Sequence, residues 1–521
     1  MPDDLYRSKR TVKCALKGLF TKDVDKQPLI QKFNQQLEQT MVMINQLRVL
    51  ASFVIKHHLF TTMELHNTIP WKINQNYLSD VFRCLRGKKL NQKTKTTVKK
   101  GVKTKQILNI PYTESLPTSV KFIIDTVNPL MAKTTMSQTA LCQIIQYACR
   151  GMYANYKVHL KERVVQAFQC WTNNQIRCLM TEKERMAFRR YGKSYKDRIE
   201  TLPFYSRYQA YNTILETLIT EEDDETVDEE GDEEEESKFD YSRAFEFMYR
   251  LKRDSEVLEN TTQIKMKGIA VFPQNRFHLG SIRLDSFCMA AIYCSLRDEK
   301  GLNCIQLSKV ENQDIAWNAL FDMKAIKKLR TNWMFGYSIN TDGVYAAVSF
   351  EKDKKVFDTT KRFKPSIEEL PNGFYKEKDI LEKYANNKFD ILSSFDSVDW
   401  VAIDPGIKSL LTGWNMNNDE EVFTLKQKTY KHESGMNMHN KISTKRYERN
   451  MSDVKAVLDE VPYKNYVGLN RMTEYLKAIR GIWVKLWSYK SSEKIRMTSF
   501  IAWRKRQSFI DKFLNILLLR E

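Results

Sequence analysis

Phe395-Asp-Ser-Val-Asp-Trp-Val-Ala-Ile-Asp-Pro-Gly-Ile-Lys-Ser-Leu-Leu-Thr-Gly-Trp414 is the stretch on which the prediction of fold and function depends. The apolar residues from Val398 to Ile403 show no helical period, which predicts a buried strand. Pro405 and Gly406 predict a tight turn, because proline presets φ and glycine tolerates a positive φ. Asp404 is therefore expected at the end of a strand, directly before a hairpin turn.

A carboxylate at the end of a rigid strand has two interpretations. It can help to bind a divalent metal through few protein ligands plus a substrate phosphate. Alternatively, Asp-Pro-Gly is simply the turn of an ordinary hairpin, since these residues dominate turns. Residues Glu421 to Tyr430 predict a third strand, so Asp404 would head an antiparallel three-stranded meander.

Length and composition indicate a large globular protein of about three domains. Its most apolar region, Met41 to Phe60, is interrupted by Arg48 and Lys56, so no membrane-spanning segment is expected. The N-terminus lacks a signal-peptide pattern, and secretion is not expected either.

Cysteines and histidines give no metal-binding pattern. The nine cysteines show no Cys-x-x-Cys spacing, which argues against a disulfide framework and a zinc ribbon and favours reduced core residues. His57 and His58 lie in a helical pattern, where a packed or surface position is favoured over metal binding.

The net charge of +20 is unevenly distributed. The run from Glu221 to Glu236 contains thirteen acidic and no basic residues, so the rest of the chain carries +20 plus 13, or +33. Such an excess predicts a polyanionic partner, and nucleic acid is favoured over a membrane surface. The acidic run reads as a disordered insert, either an inert loop or a nucleic-acid mimic that shields the basic surface.

A basic arm is predicted from Arg83 to Lys105, which contains ten Lys or Arg and no acid. It is too polar to bury and too repulsive to fold alone. A mobile arm for phosphates, a nuclear import signal and a merely solvated loop remain open. The candidate nucleic-acid ligands in it are Lys88, Lys89, Lys93, Lys99 and Lys100.

Periodicity predicts a helical block over residues 28–260, following a first strand within residues 1–27. Apolar residues from Leu29 to Leu59 lie on one face of a long helix. Two further core stripes are expected, formed by Leu141, Ile144, Ile145, Ala148 and Met152 and by Val158, Val164, Val165, Phe168 and Trp171.

Strands are predicted again over residues 261–365. Lys265 to Ile292 and Trp333 to Phe350 read as strands, the latter pair joined at Asp342-Gly343, with a short helix at Asp314 to Lys327 between them. We expect the N-terminal strand to join these in one small β-barrel that the helical block interrupts. The predicted fold class is therefore α+β with several domains.

The last region, residues 390–521, follows a basic link at 352–364 and a short helix near 379–387. Beyond the meander, Thr444 to Leu458 and Leu469 to Phe513 are expected to be helical. Trp483, Trp487, Tyr489 and Trp503 alternate there with cations, a pattern that suits both amphipathic packing and contact with bases and phosphates. The candidate ligands are Lys445, Arg446, Arg480, Arg504, Lys505 and Arg506.

Taken together, these features resemble the Fanzor proteins, eukaryotic relatives of the transposon-encoded TnpB RNA-guided nucleases and of type V CRISPR effectors. The resemblance covers nearly the whole chain and rests on the order of its motifs. These are Asn155-Tyr156-Lys157 with His159, Trp-Asn-Ala-Leu-Phe at 317–321, Thr-Asp-Gly at 341–343, Ala-Ile-Asp-Pro-Gly at 402–406, Tyr-Lys-His-Glu-Ser-Gly at 430–435, and Arg504-Lys505-Arg506-Gln507.

The resemblance implies a wedge-type barrel interrupted by a helical recognition lobe and followed by a RuvC-like nuclease domain of the RNase H fold. It implies a nuclear, monomeric protein that binds a guide RNA and target DNA, with base pairing reading the sequence. Asp404 would then be a catalytic residue that binds Mg²⁺ for phosphodiester hydrolysis.

The chain departs from this family in its catalytic acids. The further Glu and Asp of a two-metal site have no clear counterpart, since Glu521 is a poor candidate, and the cysteine-rich ribbon of many relatives is absent. We therefore expect a C-terminally truncated member that cleaves weakly or not at all by itself. The alternatives are a non-catalytic nucleic-acid-binding protein and, less favoured without a zinc finger or basic zipper, a transcription factor.

Overall fold

The computed structural model describes residues 9–90, 93–99, 102–108, 112–190, 198–220, 239–273, 275, 277–297, 303–351, 401–404, 409–415, 422–460 and 469–518. Predictions for Lys100, the acidic run, the link at 352–364, the helix near 379–387 and Glu521 lie outside these residues.

The described elements are numbered along the chain. The helices are α1 (Gln27–His66), α2 (Gln75–Leu85), α3 (Ser115–Val127), α4 (Gln138–Leu179), α5 (Glu182–Arg190), α6 (Tyr205–Thr220), α7 (Tyr241–Thr262), α8 (Ser286–Arg297), α9 (Cys304–Leu307), α10 (Gln313–Leu320), α11 (Met323–Lys328), α12 (Gln427–Glu433), α13 (Met436–Asn450), α14 (Ser452–Glu460), α15 (Leu469–Ser491) and α16 (Glu493–Leu518). The strands are β1 (Lys9–Ala15), β2 (Lys93–Lys99), β3 (Val102–Leu108), β4 (Ile282–Asp285), β5 (Met334–Thr341), β6 (Tyr345–Glu351), β7 (Val401–Asp404), β8 (Ser409–Asn415) and β9 (Val422–Lys426).

Helix α1 is the centre of the hydrophobic core, and the long helix predicted over Leu29 to Leu59 is confirmed. A proline in its first turn suits a helix start, and Asn67 ends it in the left-handed conformation with φ of 56°. From Ile44 to Ile55 almost every side chain is buried, because α2, α3, α4, α8 and α15 pack around it. The same core includes residues from both the sheet and the C-terminal helices.

The N-terminal strand pairs with strands far along the chain, as predicted. β1, β6, β5 and β4 form one antiparallel sheet in that order, with Val12 opposite Val348 and Val348 opposite Ile339. The hairpin between β5 and β6 turns at Asp342 and Gly343, which confirms the prediction from that dipeptide.

The four described strands form an open sheet, and the predicted barrel is not confirmed. The prediction of strands over Lys265 to Ile292 is largely wrong, because among the described residues of this range only Ile282–Asp285 is a strand. Ser286–Arg297 is helical instead, and the Asp285 carboxylate begins the helix by accepting a hydrogen bond from the backbone N–H of Cys288 at 2.8 Å.

Within the described part of the basic arm, Arg83 to Leu85 end α2, and β2 and β3 form a β-hairpin that the sequence did not predict. β2 and β3 pair antiparallel, with Lys93 opposite Leu108 and Lys99 opposite Val102. Thr and Val residues in both strands supply β-propensity, and strand pairing satisfies backbone hydrogen bonds.

Two local predictions need correction. Val158 and Val165 are exposed on α4, whereas the rest of both predicted stripes is buried, because the packed face is narrower than the apolar pattern.

The single helix predicted from Asp314 to Lys327 is two helices, α10 and α11. Phe321 separates them in an extended conformation and forms a β-bridge with Phe20.

The meander predicted around Asp404 is confirmed at the level of the backbone. β7, β8 and β9 form a three-stranded antiparallel sheet in sequence order. The third strand was predicted to reach Tyr430, but β9 ends at Lys426 and Gln427 begins α12. Among the helices that the structure describes, none is long and apolar enough to cross a membrane. The nine cysteines are free, with Cys149 and Cys288 buried and the others partly exposed.

Candidate nucleic-acid interface

Helices α13 and α16 cross at the surface, with the end of α15 beside them. Arg446 fixes the crossing by donating a hydrogen bond from Nη1 to Thr498 Oγ1 at 2.9 Å. Lys485 of α15 pairs with Asp453 of α14 at 2.7 Å, which holds the second pair of helices together. These polar contacts join neighbouring helices at this surface.

A basic groove lies between these helices. It consists of two adjoining clefts of about 370 and 560 Å³, which share Arg446, Tyr489 and Ile495. The cations that line it are Lys445, Arg446, Arg449, Lys455, Lys490 and Lys494. Glu448 is the acid in its lining, and it pairs with Lys455 at 3.5 Å. The groove therefore holds a clear excess of positive charge.

Tyrosine rings form part of the wall of the basic groove. Tyr447 and Tyr489 meet edge to face, with centroids 5.8 Å apart. The Lys490 ammonium lies 5.3 Å from the Tyr447 centroid and 5.8 Å from that of Tyr489. Burial lowers the pKa of Lys490. An anion bound here would offset the cost of burying that charge.

A second cleft, the Trp503 cleft, lies between β1 and the middle of α16. Its volume is about 470 Å³, and Lys13, Trp503, Arg504, Asp511 and Lys512 are among its lining residues. The Lys13 ammonium lies 5.0 Å from the centroid of the Trp503 ring. This cleft thus combines an aromatic surface with cations.

The predicted basic residues do not all lie on one surface. Lys445 and Arg446 line the basic groove, and Arg504 lines the Trp503 cleft. Lys505 lies against the Gly435 turn, where an added Cβ would stand 3.4 Å from its Cδ. The others lie elsewhere: Arg480 is exposed on α15, Arg506 is half-buried on α16, Lys88 and Lys89 are exposed after α2, and Lys93 and Lys99 belong to the hairpin.

Two of the tryptophans predicted as possible base contacts are core residues. Trp483 and Trp487 are 1% and 3% exposed, and both rings contact Phe277 at 5.6 Å. Trp483 also donates its indole N–H to the carbonyl oxygen of Leu130 at 3.3 Å. For these two residues, amphipathic packing is the correct interpretation.

Asp404 is the last residue of β7 and pairs in register with Thr412. Its backbone position is the strand end that the sequence predicts, whereas its side chain and residues 405–408 are outside the described part of the chain. No group of three or more His, Cys, Asp or Glu side chains that could hold a metal occurs among the described residues.

The Thr341-Asp342-Gly343 motif is a structural junction. The Asp342 carboxylate accepts hydrogen bonds from the backbone of Val344 and Tyr345, and burial raises its pKa. Arg496 of α16, which is 6% exposed, donates to the Asp342 carbonyl oxygen at 2.6 Å and to Glu38 of α1 at 2.7 Å. Arg496 was not predicted as a functional or core residue, because nothing in its spacing separates it from the exposed cations of the same helix.

Gly343 is required at this junction for a steric reason. Its φ of +84° is left-handed, and an added Cβ would stand 2.5 Å from Met41 Cε and 2.6 Å from Arg496 Nη1. The turn between β5 and β6 therefore fits closely between α1 and α16.

Two other motifs of the resemblance also have packing roles. Trp317 is fully buried and contacts Phe321 and Phe335 at centroid distances of 5.3 and 5.0 Å. Tyr156 is fully buried against Phe272, while His159 Nε2 lies 2.9 Å from the carbonyl oxygen of Ala270. Trp317 thus packs α10 against β5, while Tyr156 and His159 attach α4 to residues 270–272.

The sequence matches no protein-family model, and it matches no curated protein at a significant level. What the described residues define is an α+β protein with an open antiparallel sheet, a helical core and a cation-lined helical surface.

Proposed function

We propose that this chain is an RNA-guided DNA endonuclease-like protein, and that it binds a polynucleotide through the basic groove of α13, α15 and α16. Guide RNA and target DNA are the proposed partners, in the nucleus. The single observation that carries the proposal is the convergence of six cations and one acid on one groove.

Charge and geometry support a polynucleotide over a small anion. The groove spans two adjoining clefts, so its cations extend over more than one phosphate-sized site. Lys445, Arg449 and Lys494 are exposed, and none of them carries a packing contact in the core. Exposed Lys and Arg side chains next to one another bind phosphates and release the counterions of nucleic acid.

The test is the salt dependence of binding. The full chain is titrated with a labelled duplex at several salt concentrations, and the slope of log affinity against log salt is compared with that of the triple variant Lys445→Gln, Arg449→Gln, Lys494→Gln. We expect each lost phosphate contact to reduce the slope by about 0.9, or by about 2.7 in total.

The matched control is Lys477→Gln, Arg480→Gln, which removes two exposed cations of α15 outside the groove. It should change the slope by less than the amount expected for one phosphate contact, which is about 0.9. Equal losses in both variants would mean that binding follows net charge alone, and the assignment of the groove would be abandoned.

A second candidate function, Mg²⁺-dependent phosphodiester hydrolysis at Asp404, is supported by one observation. Asp404 ends β7 of the meander, the position at which a strand can present a carboxylate rigidly. Asp404 would supply one ligand, and Mg²⁺ held there with further ligands would polarise a scissile phosphate.

Cleavage is tested with purified protein, guide RNA, a matched duplex and Mg²⁺. If this candidate is correct, Asp404→Ala abolishes any cleavage while leaving duplex affinity unchanged. Asp399→Ala, in the same stretch of sequence, is the control and should keep the activity of the parent protein. Binding without cleavage in every variant would favour the non-catalytic alternative.

A further inference from the structure

We propose that the Trp503 cleft binds one unpaired nucleotide of a nucleic-acid strand, with the base stacked on Trp503 and the flanking phosphates on Arg504 and Lys512. This inference rests on the proposed polynucleotide-binding function and adds to it a site for an unpaired base. It concerns residues separate from those of the basic groove.

The Trp503 ring is held in place by a row of nearly parallel aromatic rings. Tyr345 stacks on Phe500 at 5.8 Å with an interplanar angle of 14°, and Phe500 lies beside Trp503 at 6.0 Å and 12°. Phe500 is buried at 6% exposure, whereas Trp503 is half-buried at the end of the row, in the cleft. A ring fixed in this way is a preorganised surface for stacking, because little side-chain entropy is lost on binding.

Helical spacing divides the α16 wall of the cleft into two parallel rows. Residues four apart lie on one helical face, so Trp503, Gln507 and Asp511 form one row and Arg504, Ser508 and Lys512 form the next. Gln507 donates its amide to Asp511 at 3.0 Å. Arg504 and Lys512 stand about 12 Å apart along the helix axis at 1.5 Å per residue. The first row can accommodate a base, and the second can contact the phosphates on either side of it.

Lys13 provides a cation that can move when a base binds. It is exposed on β1, and its ammonium lies over both Trp503 and Tyr345, at 5.0 and 5.5 Å from their centroids. A cation over an exposed ring is held weakly, whereas a stacked base interacts more strongly with the same surface. A base can therefore replace the ammonium, which then pairs with a phosphate.

The cleft favours an unpaired nucleotide over a duplex. Stacking requires a free base face, and bases inside a helix are stacked on one another. A volume of about 470 Å³ suits one nucleotide unit rather than a double helix. RNA and single-stranded DNA share this chemistry, and the experiment distinguishes them.

The test uses the full chain and labelled unpaired oligonucleotides of RNA and of DNA, each made with its bases and as a strand without bases. Trp503→Leu should weaken binding of the base-containing strand about tenfold and leave the base-free strand unchanged. Trp503→Phe should retain most of the affinity, because it keeps an aromatic face. The strand type with the larger loss in Trp503→Leu is the one that the cleft binds.

Photo-crosslinking supplies a readout that does not depend on the folding of a variant. A strand with a photoreactive base is crosslinked to the unmodified chain, and mass spectrometry should identify Trp503 or Gln507 as the attached residue. Loss of affinity that is equal for strands with and without bases, or crosslinks confined to other residues, would overturn the inference while leaving the basic groove intact. An unmodified chain that binds duplex but no unpaired strand would overturn this inference alone, whereas failure to bind either would overturn both proposals.

Discussion

Helices α15 and α16 are neighbours with nearly the same mixture of aromatic and basic residues, yet they use it in opposite ways. α15 buries Trp483 and Trp487 and leaves Arg480 exposed. α16 buries Arg496 and leaves Trp503 half-buried in a cleft. The comparison shows that residue type alone does not decide which side chains form the core.

The cause of the difference is what each helix packs against. α15 lies on α1 and α3, so its apolar face is covered by other helices of the core. α16 instead contacts the turn between β5 and β6 through Arg496 and crosses α13 through Thr498. Phe500 of α16 also stacks on Tyr345 of β6, so this helix packs against the sheet and α13 and leaves the Trp503 cleft open beside it.

The largest expected effect on the free energy of unfolding comes from removing a tryptophan ring, which is buried in α15 and half-buried in α16. Trp483→Ala should lower the free energy of unfolding by about 3–5 kcal/mol, because it leaves a cavity in the core. Trp503→Ala should cost less than about 1 kcal/mol, since the ring lies at a cleft. Chemical denaturation of both variants measures the two costs, and similar values would remove the distinction between the helices.

The second comparison concerns two arginines of α16, one buried and one exposed. Arg496→Met should lower the free energy of unfolding by about 1–3 kcal/mol, mainly because the Asp342 carbonyl oxygen loses its buried donor, whereas Glu38 is largely exposed. Arg504→Met on the exposed surface of the same helix should change stability by no more than about 0.5 kcal/mol. Thermal or chemical unfolding compares them, and a stable Arg496→Met would show that the junction does not depend on this side chain.

A smaller change in the free energy of unfolding is expected when the pH is lowered, because α1 contains a buried histidine, His58. Burial lowers the pKa of His58 to about 4, and the neutral ring lies 2.8 Å from both Tyr77 Oη and Ser115 Oγ. The unfolded chain takes up this proton near its ordinary value of about 6.5. The neutral His58 ring therefore makes its full contribution to the free energy of unfolding above about pH 6.5. This contribution falls by on the order of 2 kcal/mol as the pH drops towards 4.

Unfolding measured at pH 7 and at pH 4.5 tests this expectation. His58→Gln should reduce the dependence on pH, although it lowers stability at neutral pH. His66→Gln, at the exposed end of the same helix, is the control and should leave the dependence as it is. An unchanged pH profile in His58→Gln would show that other groups cause the acid sensitivity.

The smallest effect on the free energy of unfolding is expected for a substitution in the basic groove, where the main change should be in duplex binding. Lys445→Gln alone should change stability by less than about 0.5 kcal/mol and reduce the salt slope of duplex binding by about 0.9. Equilibrium titration at several salt concentrations detects the change in slope. A change in stability without a change in slope would mean that Lys445 has a structural role.

Periodic and turn-forming features of the sequence gave correct local predictions. The apolar stripe of α1, the hairpin at Asp342-Gly343 and the meander that includes Asp404 were all recognised from residue type and spacing. The pairing of β1 with later strands also followed, since an isolated half-buried strand needs a partner. Asp404 itself could be placed at a strand end, but not in a site, because sequence spacing does not show which distant side chains converge.

The sequence by itself determined the excess of cations outside the acidic run, the long central helix and the strands that turn at Asp342-Gly343 and precede Asp404. These depend on composition and on neighbours in the chain, which local physics controls. Only the tertiary structure decided that Trp483 and Arg496 are buried, that β2 and β3 pair, and that Lys445 and Lys494 face one groove. Burial and convergence depend on contacts between residues far apart in the chain, and a single helical pattern is compatible with either outcome.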